Sequence, residues 1–540
     1  MRYCALAVLS GLALTACKSR ATDAAPSLAS SAPAETADAS ALSAPTPSGS
    51  ADSAEVTAAF AHSGEALVDL AGVVHLPPGV ADGATKLAAR ALLVPIQERP
   101  ATSSRKIGYL RAGAIVEASA TDQGHDDCSG GWRAIKPVGF VCLGDKATMD
   151  LDDPIVRASA RRPDITTKLP YMYGTVTRGG PVYSRIPTAE DIKQFEPGLS
   201  KHIAKWKQDE VSGAGYGLDL WYKWKDKPTL SALDAWDQKI TDSDIPFFLK
   251  DGATVPNLSG LVKGSDAKIG EVDHKQGAAF IDSFLYEGRR YNVRTDLGII
   301  PGDRYRPIKG SDHHGVEIGK DVEIPFALIR KPGAKKWTFQ GKGSRVEDGD
   351  IETWTPVNLT GKQKVEDSVI YYETKEGFFV DDRHASRVDM AKHMPKWGSN
   401  GERWIDVNIT KQILVAYDGT KPVYATLVST GEDGLEEGEK STKKGIFRIH
   451  TKYLTTTMDS KVVGEEFELR DVPYVQYFEE GFALHGAYWH DGFGTPKSHG
   501  CVNLTPEDAR RLFFFTEPQV PYGWHGAAKA LTGSVVFVHP

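Results

Sequence analysis

Cysteine is scarce in this chain, five residues in 540, and none of the five forms a C-x-x-C pair. With no H-E-x-x-H segment either, the spaced ligand sets of zinc ribbons and zincin metalloproteases are excluded. No phosphate-binding G-x-x-x-x-G-K-[ST] loop occurs, and no dinucleotide fingerprint follows a strand pattern. No cofactor is therefore implied. Basic runs are missing too: Lys and Arg number 64 against 71 Asp and Glu, a formal net charge of −7, which argues against nucleic acid as a partner.

What the chain does have lies near its C-terminus. Ala483-Leu484-His485-Gly486-Ala487-Tyr488-Trp489-His490 is followed by Ser498-His499-Gly500-Cys501-Val502-Asn503. A thiol is mostly protonated at neutral pH, so a nucleophilic cysteine needs an imidazole to take its proton. His485 and His499 are the candidates. In extended backbone His499 and Cys501 share a face, whereas His485 must be brought in by a turn. Thr505 reads as an N-cap, Pro506 as the first helical residue and Asp508 as the third position of a capping box, so Cys501 sits just ahead of a helix over 509–515. Two alternatives accompany this reading: a buried structural cysteine, and a zinc site assembled from His485, His490, His499 and Cys501. His490 and Trp489 read as packing or rim residues.

These residues resemble the catalytic motif of the L,D-transpeptidases, the YkuD-type domain. The likeness continues upstream in Trp404–Asn408, Gln412–Tyr417 and Thr426–Gly431, which resemble the family's opening hairpin and following strand. The resemblance implies a β-sandwich in which Cys501 attacks a peptidoglycan stem peptide, D-alanine leaves and a thioester remains. An amine then resolves the thioester, giving a 3-3 cross-link or attaching an envelope protein. It further implies His485 as general base, His499 as the group orienting and polarising the thiol, and the backbone N–H groups of Gly500 and Cys501 as an oxyanion hole. Gly486, Tyr488, Ser498 and Asn503 would contact the substrate. Where some members carry a serine, this chain has Gly486, so a backbone carbonyl would have to orient the imidazole.

The other end of the chain carries an address. Arg2 precedes the apolar run Ala5–Leu14, too short to span a bilayer, which ends in Leu14-Thr15-Ala16-Cys17. That tetrapeptide resembles a bacterial lipobox and implies lipidation of Cys17. With Lys18 next, retention at the outer membrane facing the periplasm is expected. An ordinary secretory signal with a chance cysteine is the alternative. Residues 17–65 are rich in Ala, Ser and Pro, and read as a disordered tether with an r.m.s. span of roughly 35 to 45 Å. Cys128 and Cys142 remain as a natural disulfide pair or as two buried thiols.

The folded part is expected to be mainly β. A recurring pattern, Trp132-x6-Gly139, Tyr291-x6-Gly298 and Ile370-x6-Gly377, suggests three hairpins in three small barrels. The first resembles a bacterial SH3-like domain. The expected organisation is a signal peptide at 1–16, the tether at 17–65 and an SH3-like domain at 85–150. A second such domain with a helical insertion follows at 165–325, a third at 326–400 and the catalytic domain at 401–540. His313, His314 and His384 read as exposed loop residues without a role. The functional expectation is a monomeric L,D-transpeptidase acting on stem peptides. An L,D-carboxypeptidase using water as acceptor, and a non-catalytic wall-binding scaffold, are the alternatives.

Overall fold

A computed structural model of the chain describes residues 67–68, 74–75, 85–211, 245–274, 276–341, 343–391, 393–460, 467–528 and 532–540. The expected signal peptide, Cys17, the tether and part of the expected helical insertion, residues 212–244, lie outside the described residues. Strand occupies 43 % and helix 10 % of the structure, so the fold is mainly β as the alternating patterns predict. Among the described residues no helix is long and apolar enough to cross a membrane.

The C-terminal region is built from β1 (Arg403–Asn408), β2 (Ile413–Asp418), β3 (Lys421–Leu427), β4 (Gly445–Arg448), β5 (Thr451–Ser460), β6 (Phe467–Glu479), β7 (Phe482–Gly486), β8 (Val502–Leu504), the helix α1 (Pro506–Phe515), β9 (Gly526–Ala528) and β10 (Val535–His539). One sheet runs β3-β2-β1-β10-β4, extended beyond β3 by the two residues Val316–Glu317. A second carries β8, β7, β6, β5 and β9 side by side.

Strand β2 is apolar at nearly every position because both its faces are covered. Leu414 and Ala416 enter a core shared with Leu454, Tyr474, Leu484, Val502 and Leu504 of the facing sheet, and with Leu512 and Phe513 of α1. Ile413, Val415 and Tyr417, on the alternate face, enter a second core that contains Tyr173, Phe284 and Phe326 from the preceding modules. Period-two alternation thus sorts one strand's side chains into two cores.

The three expected hairpins are present, pairing Trp132 with Cys142, Tyr291 with Pro301 and Tyr371 with Asp381. Cys128 and Cys142 are joined as a disulfide beside the first. The modules are not beads on a string. Strand Lys106–Leu110 of the first pairs with β9, and strand Gln276–Tyr286 of the second runs parallel to the start of β6. Both therefore lie in one sheet with the C-terminal region. The third module, residues 326–388, forms a separate seven-stranded sheet.

Candidate active site

The site is assembled on two short neighbouring strands. A turn through Gly481 folds β7 back on β6, and β8 lies parallel to β7 with Leu484 opposite Val502, His485 opposite Asn503 and Gly486 opposite Leu504. Paired residues on parallel strands point to the same face, and successive residues to opposite ones. Leu484, Val502 and Leu504 fill the core on one side. His485 and Asn503, together with Cys501 just before β8, line a pocket of about 360 Å³ on the other. That volume suits a small peptide side chain and its flanking amides.

The loop carrying Cys501 is fixed by its own hydrogen bonds. The Ser498 hydroxyl accepts from the Gly500 N–H at 3.0 Å and donates to the Cys501 carbonyl at 2.5 Å. Gly500 has φ +116°, and a Cβ there would lie 2.6 Å from the Phe482 ring, so glycine is required at this turn. Asn503 N–H and Ser429 N–H bond to each other's carbonyls, tying β8 to the end of β3. Beyond β8, Thr505 caps α1 by accepting from Asp508 N–H, and Pro506 opens the helix, as the sequence suggests. The Asp508 carboxylate does not reach back to the Thr505 backbone. It accepts instead from the Gly315 N–H and from the hydroxyls of Tyr424, Thr426 and Thr505.

Burial dominates the electrostatics. His485 is 2 % exposed, and its ring is pushed down to about 4 by desolvation, with the Gly486 carbonyl pulling weakly the other way. Its Nδ1 has no hydrogen-bond partner. The Cys501 thiol is pushed up to about 11 by desolvation, against the Ala483 N–H, and donates to the Gly481 carbonyl at 3.6 Å. A thiolate stabilised at rest, as sequence chemistry suggested, is therefore not what this pocket favours. The resting groups are a neutral thiol and a neutral imidazole.

The other expected residues divide. Ser498 and Asn503 line the pocket. Tyr488 does not: it is fully buried, its ring 4.5 Å from that of Tyr173, and it belongs to the core. Gly486 is likewise covered by Pro473 and Ala509. His499 lines the pocket but is exposed at its rim, 5.4 Å from the Phe467 ring. The same-face argument for His499 assumed extended backbone, and the positive φ of Gly500 turns the chain between it and Cys501. The Gly500 N–H, expected to face an oxyanion, is taken by Ser498.

Two residues read from sequence as packing or rim residues line the pocket. Trp489 stacks on the His485 ring at 5.6 Å, and His490, 2 % exposed and pushed down to about 3 by burial, lies 2.9 Å from the Asn503 amide. Their closeness in sequence to His485 was the only available signal. Glu432 and Lys497 supply one charge of each sign to the lining. Among the described residues no three His, Cys, Asp or Glu side chains converge as metal ligands.

A buried imidazole and a thiol thus face one pocket, on the edge strands of a β-rich domain. Residues 402–536 match the YkuD family, the L,D-transpeptidase catalytic domain, and constitute such a domain. Over 136 residues the chain is 26 % identical to YciB of Bacillus subtilis (strain 168), which carries an L,D-transpeptidase name. That match covers 20 % of this chain and 59 % of YciB. An L,D-transpeptidase mutant of Enterococcus faecium is similar at 22 % identity over 26 % of this chain and 50 % of its own, with a TM-score of 0.20. The Stackebrandtia nassauensis L,D-transpeptidase is similar at 26 % identity over 28 % of this chain and 58 % of its own, with a TM-score of 0.19.

Proposed function

We propose that this chain is a peptidoglycan L,D-transpeptidase working through a thioester on Cys501, held at the periplasmic face of the outer membrane by a lipid on Cys17. The observation that carries the reading is the His485–Asn503 register, which sets a buried imidazole and the Cys501 thiol on one face of one pocket. Because burial disfavours both ions, the proton passes from sulfur to the His485 ring as the sulfur attacks, and no thiolate accumulates beforehand. Attack on the carbonyl of the third stem residue gives a tetrahedral intermediate, whose oxygen accepts from the Cys501 N–H. The C–N bond to D-alanine breaks and His485 returns the proton to the leaving amine. An acceptor amine then attacks the thioester, surrendering a proton to His485, and releases the thiol with a new amide bond.

The three preceding modules fit a role in holding the domain near the wall. Incubating the purified full chain with tetrapeptide muropeptides tests the reading by mass spectrometry. Cross-linked dimers are expected from the wild type, and Cys501→Ala is expected to lose at least about a thousandfold in rate. Tripeptides without dimers would mean that water is the acceptor. No turnover, and no carbapenem adduct on Cys501, would leave the wall-binding scaffold.

A further inference from the structure

The pocket wall formed by Trp489 and His490 belongs to a loop, 489–494, that is held from outside the catalytic domain. The Ser311 hydroxyl, from the connection after the second module, donates to Asp491 at 2.5 Å. Phe493, buried beside the His490 ring at 4.7 Å, meets the edge of Trp354 at 6.1 Å. Trp354 sits in a turn of the third module and is stacked in turn by His313, 5.2 Å away and 6° from parallel. Arg330 of the same module donates from Nη1 to the Gly494 carbonyl at 3.5 Å. A continuous line of contacts thus runs from Trp354 through Phe493 and His490 to Asn503 in the pocket.

Trp354 pays a conformational cost to be there. Its φ is +68°, in the left-handed region that a bulky side chain rarely adopts, and its N–H is anchored to the Ile329 carbonyl at 2.7 Å. Such backbone strain persists only where surrounding contacts over-determine it. The ring's contacts with Phe493 and His313 are among those that hold it. His314 is the exposed loop residue that the sequence suggested, whereas His313 is half-buried and backs Trp354.

We propose that Trp354 is a positioning residue for the Cys501 pocket: the third module, beyond any wall contact it makes, fixes the substrate-facing wall of the catalytic domain through Phe493 and His490. The inference rests on the pocket being the acyl-transfer site proposed above. His485 lies on β7 and Cys501 just before β8, whereas Trp354 and Arg330 act on the loop at Phe493 and Gly494.

The test uses the full chain. Trp354→Gly removes the ring at a φ that glycine adopts freely, so the fold is expected to survive. Carbapenem acylation of Cys501 and the KM for a stem tetrapeptide should both worsen about three- to tenfold, while kcat and alkylation by the small reagent iodoacetamide stay within about twofold. Trp354→Phe should restore most of the loss. Trp337→Ala, in the same module but packed in its aromatic cluster with Tyr371, should leave both rates unchanged. If Trp354→Gly does not fold, Arg330→Met gives the second reading, with the same split expected. Unchanged acylation in the folded variant, or an equal loss in Trp337→Ala, would overturn the proposal. Absence of stem turnover in the wild type would instead sink the transpeptidase reading, and the acylation comparison would still judge this one.

Discussion

The first two modules and the third meet the catalytic domain in different ways. The first two are joined by backbone: Gly108 lies opposite Ala527, and Gly277 opposite Leu469, in continuous ladders. Both joints use glycine where an aromatic ring presses close, since a Cβ would come within 2.3 Å of the Trp524 ring at Gly108 and of the Tyr488 hydroxyl at Gly277. Between the joints lies a buried polar cluster. Asp471 is taken out of water, which works against its charge, but Arg111 at 2.7 Å and the hydroxyls of Thr295 and Thr455 hold its carboxyl below the usual range. The third module keeps its own sheet and reaches the active-site loop by Trp354 and Arg330. Modules welded by backbone pairing and a buried ion pair should unfold with the domain, while the third is joined to it by side chains, with Phe326 in one core with Val415 and Tyr417.

The sharpest way to break this contrast is at the buried pair. Arg111→Met leaves Asp471 uncompensated and should cost about 3–5 kcal/mol in urea unfolding, with the first module and the catalytic domain losing structure together. Separate transitions would refute the weld.

Acid should find the same region. His485, His490 and His525 are held neutral by burial, with rings at about 4, 3 and 3, whereas the unfolded chain takes up protons near pH 6.5. The unfolded state therefore binds more protons below that pH, so stability present above about 6.5 is lost as pH falls towards 4. The loss is roughly 3 kcal/mol for His485 alone. The thermal midpoint of the catalytic domain should drop steeply between pH 7 and 5, and a flat profile would mean these rings are already charged or exposed in the fold.

A smaller effect is expected at one joint. Gly277→Ala forces the Tyr488 hydroxyl aside and should cost about 1–3 kcal/mol by overpacking, read from the urea midpoint. In the pocket itself, iodoacetamide should alkylate Cys501 slowly at pH 7 and about tenfold faster per unit of pH up to about 10, following the thiolate of a group raised to about 11. A rate already saturated at pH 7 would indicate a preformed ion pair. The surface pair Arg448–Glu402, about a third exposed on each side, sets the lower limit: Arg448→Ala should shift stability by about 0.5 kcal/mol.

Much of the site was legible in sequence because its determinants are local. The Thr505 cap, the Pro506 helix start and the spacing of Cys501 from Asn503 each depend on a few neighbours. The hairpin β1–β2 runs Trp404 against Tyr417 and Asn408 against Ile413, as the alternating apolar residues lead one to expect. Tyr488 was misread because a tyrosine beside a catalytic motif looks the same whether it faces a substrate or Tyr173, more than three hundred residues earlier. His490 was set aside for the converse reason.

The chain's own order of residues determined the thiol and imidazole that share the pocket and the alternation that makes the molecule mainly β. Packing alone decided that the thiol and imidazole rest uncharged, that Tyr488 is core and His490 is wall, and which modules share a sheet. Protonation depends on how much water surrounds a group, and joints depend on which distant surfaces fit, and neither is encoded in the spacing of nearby residues.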